Sequence, residues 1–402
     1  MSNSIRAALA AVAIAVCCAA PIHAQPKEPR GEVRTVRIAS SMPRVGVPKK
    51  NTDALVRGIQ LAISEDAGLL KGVRIELFDW NDGTADGQWS PELERENAMK
   101  ATKDPSVLAY IGPYNSGAAK VSMPILNRAG MLMVSPTASW PGLTRPEWSE
   151  EEPNCYRPAT KPNFVRIASS DDWHGYVAAQ WAKTLGVRTA IIVDDGELYG
   201  AGIASQFAKG SNAFGIKILS RETLDTKNDS FAALAKKIKA GEPDLVYFGG
   251  ATETKGGLLF RDLAQAGLAS RFMVAEGCMD DVFVQQAGSK NLEGRCFATV
   301  GGVPLKEMKS ANAFRVAYRK KHQEEPPEVA GYGYDAAKLV LAAIGKAKAK
   351  DREATLNAAF RGDQLEGCTG RWKLDIHGDP DRLLFSGYEF KRGKFQFAKQ
   401  VP

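Results

Sequence analysis

The sequence predicts an α/β protein with two similar lobes, in which parallel strands alternate with helices. Short apolar runs alternate with longer segments of helical periodicity along most of the chain, and this alternation is typical of βαβ units. A polar, proline-rich stretch at residues 141–163 interrupts the alternation, and a second series of the same kind follows it. The length of 402 residues agrees with two or three domains. We therefore expect two α/β lobes joined by extended connections.

The first series of elements opens with an apolar strand at Val36–Ser40. A helix at Asp53–Ser64 follows, because apolar residues recur there at helical spacing. A strand at Val73–Phe78 and a helix at Pro91–Lys103 come next, and proline suits the first turn of that helix. This order predicts a parallel sheet with helices on both faces.

The most informative part of this series is a βαβ unit. Segments Leu108–Lys120 and Met131–Trp140 each begin as a buried strand and end in a turn of small residues, with a helix at about residues 116–128 between the strands. The turns place Ser116 and Ser139 at the carboxyl edge of the sheet, where ligands bind in open α/β sheets. The N–H groups that start the helix favour an anion such as a carboxylate. The alternative is that both serines cap a helix or a turn.

The second series repeats the alternation. Its predicted elements are, in order, strand Thr189–Asp194, helix 200–214, strand Lys217–Ser220, helix Phe231–Ala240, strand Asp244–Gly249, helix 254–266, and strands Arg271–Ala275 and Cys296–Val300. A further crossing at 301–304 leads to helices at about 308–322, 334–348 and 352–360, and then to strands with turns over residues 370–398.

The first 24 residues are expected to be a cleavable signal peptide. Arg6 supplies a positive start, Ala7–Ala20 is an apolar run, and Ile22–Ala24 is an acceptable small-residue cleavage site. The apolar run is short for a membrane span, so export is favoured over anchoring. Lipidation at Cys17 is the alternative, since residues 14–17 partly match a lipobox.

The charge of the chain argues against a nucleic-acid partner. The formal charge is +7, and removal of residues 1–24, which contain Arg6 and no acid, leaves 7 − 1 = +6. Lysine and arginine residues are scattered rather than clustered, so we interpret the basicity as a solvated surface.

Four cysteines remain beyond the signal peptide. Export permits disulfides, and four cysteines allow three pairings. We expect Cys278–Cys296 together with Cys155–Cys368. The cysteines are dispersed and no two histidines have ligand spacing, so the sequence predicts no metal site.

No catalytic motif is found in the sequence. Gly112–Gly117 superficially resembles a P-loop, but Ala118 and Ala119 stand where that motif needs lysine and a hydroxyl residue. The GxSxG, HExxH and GxGxxG motifs are absent as well. We therefore expect no enzyme, no catalytic residue and no cofactor.

A zwitterionic ligand would need an acid for its ammonium group, in addition to donors for its carboxylate. Glu276 ends a strand of the second lobe and precedes a glycine, so its carboxylate is in a position to face a cleft. The alternative is an ordinary surface acid or an acid at the start of a helix.

A set of short motifs runs in a fixed order through the mature chain, from Val36 to about Phe397. They are Ile111–Ser116, Gly130–Pro136, Ile191–Asp195 with Tyr199–Gly200, Asp244–Gly250, Phe272–Gly277, Gly333–Ala336 and Gly370–Asp375. In this order and spacing the chain resembles the type I periplasmic binding proteins of the leucine/isoleucine/valine family, which feed ABC importers.

The resemblance implies two Rossmann-like lobes with parallel central sheets joined by a three-stranded hinge. Lobe 1 would comprise residues 33–163 plus 304–375, and lobe 2 residues 164–303 plus 376–402. It also implies a monomeric periplasmic solute-binding protein that closes on a small molecule and has the permease subunits of an ABC importer as its partners.

The resemblance also implies the residues that bind the ligand. In amino-acid-binding relatives, residues at matching positions bind the ligand carboxylate and contact the polar end of the ligand. Others contact the ligand from the second lobe when the lobes close, and accept its ammonium group. The residues carried over are Ser116 for the carboxylate, Thr137, Ala138 and Ser139 for the polar end, Tyr199 from the second lobe and Glu276 for the ammonium.

One position departs from the pattern of the family. Relatives often carry tyrosine after the Gly-Gly of the second lobe, where this chain has Ala251 and Thr252. Tyr114 and Trp140 would replace the lost surface, unless they serve only edge packing. We therefore expect a branched-chain or other hydrophobic amino acid as the ligand. The alternatives are a small amide, an aromatic acid without an ammonium group, or a role as ligand sensor for a membrane signalling protein.

Overall fold

The computed structural model describes residues 33–66, 70, 72–85 and 87–401. The predicted signal peptide at residues 1–24 and the alternative lipidation site at Cys17 lie outside these residues. Within the described ranges, no helix combines the length and the apolar character that a membrane span requires.

Two large sheets organise the chain. The strands are β1 (Arg34–Met42), β2 (Val73–Asn81), β3 (Val107–Ile111), β4 (Leu132–Ser135), β5 (Phe164–Arg166), β6 (Thr189–Asp194), β7 (Lys217–Thr223), β8 (Leu245–Gly249), β9 (Arg271–Ala275), β10 (Cys296–Gly301), β11 (Leu365–Gly367), β12 (Gly370–Trp372), β13 (Phe385–Lys391) and β14 (Lys394–Val401). The first sheet has the order β2-β1-β3-β4-β5 and the second the order β14-β13-β10-β9-β8-β6-β7, while β11 and β12 form a separate hairpin.

The α-helices lie between and beside these strands. They are α1 (Lys49–Asp66), α2 (Pro91–Lys103), α3 (Ser116–Arg128), α4 (Asp171–Thr184), α5 (Leu198–Ala213), α6 (Ala232–Ala240), α7 (Gly256–Gln265), α8 (Asp281–Ala287), α9 (Ser289–Leu292), α10 (Asn312–His322), α11 (Glu328–Lys346) and α12 (Arg352–Ala359).

The first sheet is parallel throughout and is buried on both faces. On β3, Ile111 packs into the cluster that contains residues of α1 and α11, whereas its neighbour Tyr110 packs into the cluster with residues of α2 and α3. This alternation follows from the strand period of two, and it explains why the strands are nearly continuous apolar runs. The predicted parallel sheet with helices on both faces is confirmed.

The second sheet combines a parallel part with an antiparallel edge. Strands β6 to β10 pair in parallel, and β13 and β14 add antiparallel strands beside β10. The chain passes between the two sheets three times, after β5, after β10 and before β13. The ends of the parallel strands that carry Ser116 and Glu276 therefore belong to different sheets.

The region between residues 164 and 188 differs from the prediction. The sequence analysis placed no element there, whereas the structure has the short strand β5 and the helix α4. Strand β5 pairs with β4 of the first sheet, although the predicted boundary assigns it to the second lobe. The hydrophobic periodicity did not predict helix α4, because the buried face of this helix includes the polar residues Asp171 and His174.

The predicted disulfides are wrong in this structure, in which Cys155, Cys278, Cys296 and Cys368 are all free. Cys155 is exposed, whereas Cys368 is buried with its thiol 3.4 Å from the carbonyl oxygen of Gly331. The Cys278 thiol donates to the carbonyl oxygen beyond β8 at 3.5 Å. Cys278 and Cys296 pack in the same core cluster, yet both keep free thiols.

A buried ion-pair network joins the first sheet to the turn that precedes β13. The fully buried Arg166 on β5 donates from Nε to Oδ1 of Asp379 at 2.8 Å, and Arg145 donates from Nε to Oδ2 at 2.7 Å. The Arg166 guanidinium also donates to the carbonyl oxygens of Ala138 and Trp140. This network therefore holds in place the turn that carries the predicted ligand-binding residues.

Candidate functional site

Ser116 occupies the first position of helix α3, directly after the carboxyl end of β3. Asn115 occupies the N-cap position, although its side chain makes no capping hydrogen bond, so Ser116 is not the cap of this helix. The Ser116 side chain is 2% exposed, and its hydroxyl oxygen accepts from the N–H groups of Ser139 and Trp140, both at 3.2 Å. The structure therefore brings the two predicted serine turns into direct contact, beside the unpaired N–H groups of a helix start.

The turn after β4 is held by hydrogen bonds of its own residues. The Thr137 hydroxyl donates to the carbonyl oxygen of Tyr114 at 2.7 Å, and the Ala138 N–H donates to the Ser135 hydroxyl at 2.8 Å. The Ser139 hydroxyl donates to Oδ2 of Asp171 at 2.9 Å. Its oxygen lone pairs can still accept a hydrogen bond, which suits an ammonium group.

Glu276 follows strand β9 and begins a single 3₁₀ turn, as the sequence predicted for an acid at the end of a strand. Its side chain keeps 40% of its surface exposed, and the Nε2 atom of His174 lies 3.2 Å from Oε2. Tyr199 is in the first turn of α5, and its ring carbon Cε1 would lie 3.2 Å from a Cβ atom on Gly277. Tyr199 and Glu276 therefore stand next to each other on the second sheet.

The hydroxyl group of Tyr199 is buried and has no hydrogen-bond partner among the described residues. Burial, followed by the charges of Glu276 and Asp171, raises the pKa of Tyr199 well above its ordinary value. The phenol is therefore neutral at physiological pH and can both donate and accept. An unpaired buried hydroxyl is costly, so a ligand that pairs with it gains free energy.

Burial also governs the ionisation of the carboxyl groups at the site. It raises the pKa of Glu276 to about 7 and the pKa of Asp171 to about 7. A ligand cation placed beside either carboxylate would favour its ionised form and would lower that pKa again. The second wall of the site is therefore suited to a cation and not to a second carboxylate.

Asp171 and His174 are site residues that the sequence analysis missed. Both lie in the first turn and a half of α4, where Asp171 contacts Ser139 through its side chain and its N–H while His174 contacts Glu276. The serine at position 170, followed by two acids, is a helix-start signal that would have located α4. The apolar pattern of the rest of the helix is interrupted by buried polar residues, so periodicity did not reveal it.

Tyr114 and Trp140, which were expected to replace missing pocket surface, take different positions. Burial, followed by the charges of Glu253 and other acids including Glu276, raises the pKa of Tyr114, so its phenol faces acids of the second sheet. The Trp140 indole donates from Nε1 to Glu152 at 2.9 Å, and its ring packs against Gly202 of α5. Tyr114 thus faces the gap between the sheets, whereas Trp140 bridges it.

Two segments to which the sequence analysis gave no role also bridge the gap. From residues 79–90, the Gln88 amide donates to the carbonyl oxygen of Glu253 at 2.8 Å, and the Trp89 indole lies 3.4 Å from a carboxylate oxygen of Glu197. From residues 141–163, the Trp148 ring lies 4.6 Å from Nζ of Lys209. The two sheets are therefore in contact around the predicted site, as in a closed form.

The arrangement is suited to binding rather than to chemistry. Serine hydroxyls and helix N–H groups stand on one wall, while a carboxylate and a phenol stand on the other. In the part of the chain that the structure describes, no group of three or more His, Cys, Asp and Glu residues could hold a metal ion. The geometry thus provides donors for an anion and acceptors for a cation.

Comparison with protein families agrees with this geometry. The family model described as "Periplasmic binding protein" matches residues 35–382. The chain is 28% identical over 368 residues to the "Leu/Ile/Val-binding protein BraC3" of Rhizobium johnstonii, covering 90% of this chain and 94% of that protein. It is also 28% identical over 361 residues to the "Leucine-, isoleucine-, valine-, threonine-, and alanine-binding protein" of Pseudomonas aeruginosa, covering 89% of this chain and 90% of that protein.

Solved structures share the fold. The branched-chain amino acid transporter substrate-binding protein LivJ from Streptococcus pneumoniae, in complex with isoleucine, has a TM-score of 0.77 at 22% identity and covers 92% of this chain and 99% of its own. A solute-binding protein of an ABC transporter from R. palustris, in complex with benzoate, has a TM-score of 0.76 at 20% identity and covers 91% and 96%. The two-lobed architecture expected from the sequence is confirmed.

Proposed function

Because the chain belongs to the periplasmic binding protein family, a family of non-enzymatic ligand carriers, we propose that it binds a branched-chain or other hydrophobic amino acid and presents it to an ABC importer. The observation that supports this most is the presence of Ser116 at the start of α3 beside the first sheet, and of Glu276 with the unpaired Tyr199 hydroxyl beside the second. An α-amino acid carries one anion and one cation, which suit donors on one side and an acid on the other. The relatives whose names state leucine, isoleucine and valine as ligands support the same class.

Binding would proceed without covalent chemistry. Ser116, Thr137, Ala138 and Ser139 would receive the polar end of the amino acid, and Tyr199 and Glu276 would close on its ammonium group from the second sheet. A ligand that contacts both sheets favours the closed form only through contacts that the open form lacks. Tyr114 would lie along the ligand side chain.

Location and partners follow from the same proposal. A protein of this kind would be exported by the predicted signal peptide, act in the periplasm as a monomer and dock on permease subunits. A sensor for a membrane signalling protein would have the same fold, and co-purification with membrane permease and ATPase subunits would separate the two roles.

A thermal-shift screen of the mature protein against amino acids and small carboxylic acids tests the ligand class. A ligand present at about 100 times its dissociation constant adds about 2.7 kcal/mol of stability. For a unit of lobe size this corresponds to roughly 2–4 °C per kcal/mol, so the ligand should raise the melting temperature by several degrees. If hydrophobic amino acids give no shift while small acids or amides do, the proposed ligand class is wrong.

An aromatic acid is the second candidate ligand. One solved structure of the same fold holds benzoate, and this chain has Ala251 where amino-acid-binding relatives often carry tyrosine. A protonated Glu276 would tolerate a ligand without an ammonium group, since its pKa is raised by burial to about 7. Benzoate and its hydroxylated forms therefore belong in the same screen.

The affinity for an amino acid should depend on pH through Glu276. Burial raises the pKa of this carboxyl to about 7, so it loses its charge as the pH falls through that value, while the ligand ammonium stays protonated. Calorimetric titrations from pH 8.5 to pH 5.5 should show the dissociation constant rising by up to about tenfold per pH unit below about pH 7. A Glu276→Gln variant should bind weakly and without this dependence, whereas an equally steep profile in the variant would exclude Glu276 as its origin.

Closure should be sensitive to the contact between Trp140 and Gly202. A Cβ atom at position 202 would lie 2.7 Å from Cε3 and Cζ3 of Trp140, which is too close without a shift of the ring. Alanine favours the helix over glycine by about 0.5–1 kcal/mol, so Gly202→Ala should leave the melting temperature of the ligand-free protein unchanged or higher. Overpacking of the closed form by about 1–2 kcal/mol should nevertheless weaken binding roughly 5- to 30-fold.

A double-mutant cycle provides the control for this prediction. In a Trp140→Ala background, Gly202→Ala should have almost no effect on the dissociation constant, because the clash is gone. An equal loss of affinity in both backgrounds would show that the Trp140–Gly202 contact does not belong to the ligand-bound form.

A further inference from the structure

His174 lies beside the predicted ligand site and contacts Glu276 and Thr299 of the second sheet and Asp171 of its own helix. The imidazole is 3% exposed, with Nε2 located 3.2 Å from Oε2 of Glu276 and 3.1 Å from the hydroxyl oxygen of Thr299. On its other side, Nδ1 lies 4.0 Å from Oδ1 of Asp171, whose Oδ2 accepts from the Ser139 hydroxyl at 2.9 Å. Asp171 thus binds Ser139 directly, while His174 lies between Asp171 and Glu276.

We propose that His174 is a positioning residue that orients Glu276 for the ligand ammonium. The ligand part of this inference rests on the proposed function. The contacts among the protein side chains do not depend on it.

The direction of the hydrogen bond from His174 follows from the chemistry of its partners. Oε2 of Glu276 and the Thr299 hydroxyl oxygen both lie within 3.2 Å of Nε2, and both can accept, so a proton on Nε2 is shared between them. Burial lowers the pKa of His174, although the charge of Asp171 opposes this, and the ring is therefore a neutral donor at physiological pH. A donor to the ionised form of a carboxyl group favours that form.

The geometry leaves the second oxygen of Glu276 for the ligand. Oε2 faces the imidazole, and the carboxylate retains 40% of its side-chain surface exposed. A free glutamate side chain would sample several rotamers, and fixing it in advance lowers the entropy cost of binding. His174 therefore acts on the ligand only through the position and charge of Glu276.

Other titratable and charged groups face this cluster from the elements packed around it. They are Asp171 on α4, Arg166 on β5, Tyr199 on α5, Tyr247 on β8, Tyr114 beside α3 and Tyr332 on α11. Burial raises the pKa of each of these tyrosines above its ordinary value, so the four phenols stay neutral across the pH range of interest. Asp171 is the other group that titrates near pH 7, and its partner is Ser139.

Two amide substitutions test the proposal. Glutamine at position 174 can present an N–H group near the place of Nε2 and does not titrate, whereas asparagine is one carbon shorter. We expect His174→Gln to keep the midpoint of the pH profile for amino-acid binding within about 0.3 of wild type, and His174→Asn to move it upward by about one pH unit. The ratio of the dissociation constants of the amino acid and its matching carboxylic acid should rise about tenfold in His174→Asn only.

A ligand-free measurement separates this inference from the ligand assignment. The titration of Glu276 can be followed by NMR of the carboxyl carbon in protein labelled at glutamate, with Glu276→Gln identifying the signal. An upward shift of its midpoint in His174→Asn, absent in His174→Gln and in the control His322→Gln on α10, supports the positioning role even if the amino acid proves to be the wrong ligand. An unchanged Glu276 midpoint in folded His174→Asn overturns the proposal.

Discussion

Replacement of Glu276 by alanine should weaken amino-acid binding roughly 30- to 150-fold. The loss of one partner of a closely paired charge costs about 2–5 kcal/mol, and we take the lower part of this range because 40% of the side chain is exposed before the ligand arrives. The matching carboxylic acid, which has no ammonium group, should lose little affinity or gain some, since a nearby negative charge is removed. Isothermal titration with both compounds measures the difference.

Two observations would contradict this role of Glu276. An equal loss of affinity for the amino acid and for the acid would mean that the side chain contributes to closure rather than to recognition of the ammonium. Retention of wild-type selectivity by Glu276→Gln, which preserves shape and removes charge, would mean that the ammonium is neutralised elsewhere. The matched control is Glu253→Gln, because Glu253 is another acid of the second sheet near Tyr114.

Replacement of Asp379 by alanine should lower the free energy of unfolding by about 3–5 kcal/mol. Arg166 is fully buried, and removal of the carboxylate that binds its Nε would leave an uncompensated charge in the interior. Burial opposes ionisation of Asp379, but Arg166 and Arg145 outweigh it and keep the pKa of Asp379 below its ordinary value. Urea unfolding followed by circular dichroism measures the loss.

Asp375→Ala is the matched control for this experiment. Asp375 pairs with Arg145 at 3.2 Å, but its side chain is 30% exposed, so the pair should contribute about 1 kcal/mol or less. Its backbone contacts in the turn could add to that value, and the difference between the two variants isolates the buried charge. A loss below about 1 kcal/mol for Asp379→Ala would show that water or another group compensates Arg166.

The Asp379 substitution should also reach the ligand site. Arg166 donates to the carbonyl oxygens of Ala138 and Trp140 on either side of Ser139. A guanidinium that has lost its carboxylate partner is expected to move, and the turn would then lose its support. The same buried ion-pair network should therefore support both the stability of the fold and the geometry of the ligand site. Its members are far apart in the sequence.

Much of the fold was accessible from local sequence patterns. Helix α3 and strand β6 begin and end at the predicted residues, because a buried parallel strand is a continuous apolar run and a helix has a period of 3.6. The positions of Ser116 and Ser139 at one sheet edge followed from the βαβ unit between them. The hydrogen bonds from the N–H groups of Ser139 and Trp140 to the Ser116 hydroxyl oxygen confirm that the two turns meet.

The features that the sequence did not reveal involve buried polar groups. Helix α4 presents Asp171 and His174 to the interior, which breaks the apolar pattern by which helices are recognised. The free cysteines show a related limit, because spacing along the chain does not fix the distance and orientation that a disulfide requires.

By itself, the sequence determined the alternation of strands and helices, the two carboxyl edges and the types of side chain that stand there. These properties depend on short-range periodicity and on the geometry of parallel strands. Only the tertiary structure decided that His174 lies against Glu276, that Asp171 binds Ser139 and that Trp140 meets Gly202. Such contacts join residues from different sheets and helices, so they arise from packing and charge compensation in three dimensions. Neither produces a periodic pattern in the sequence.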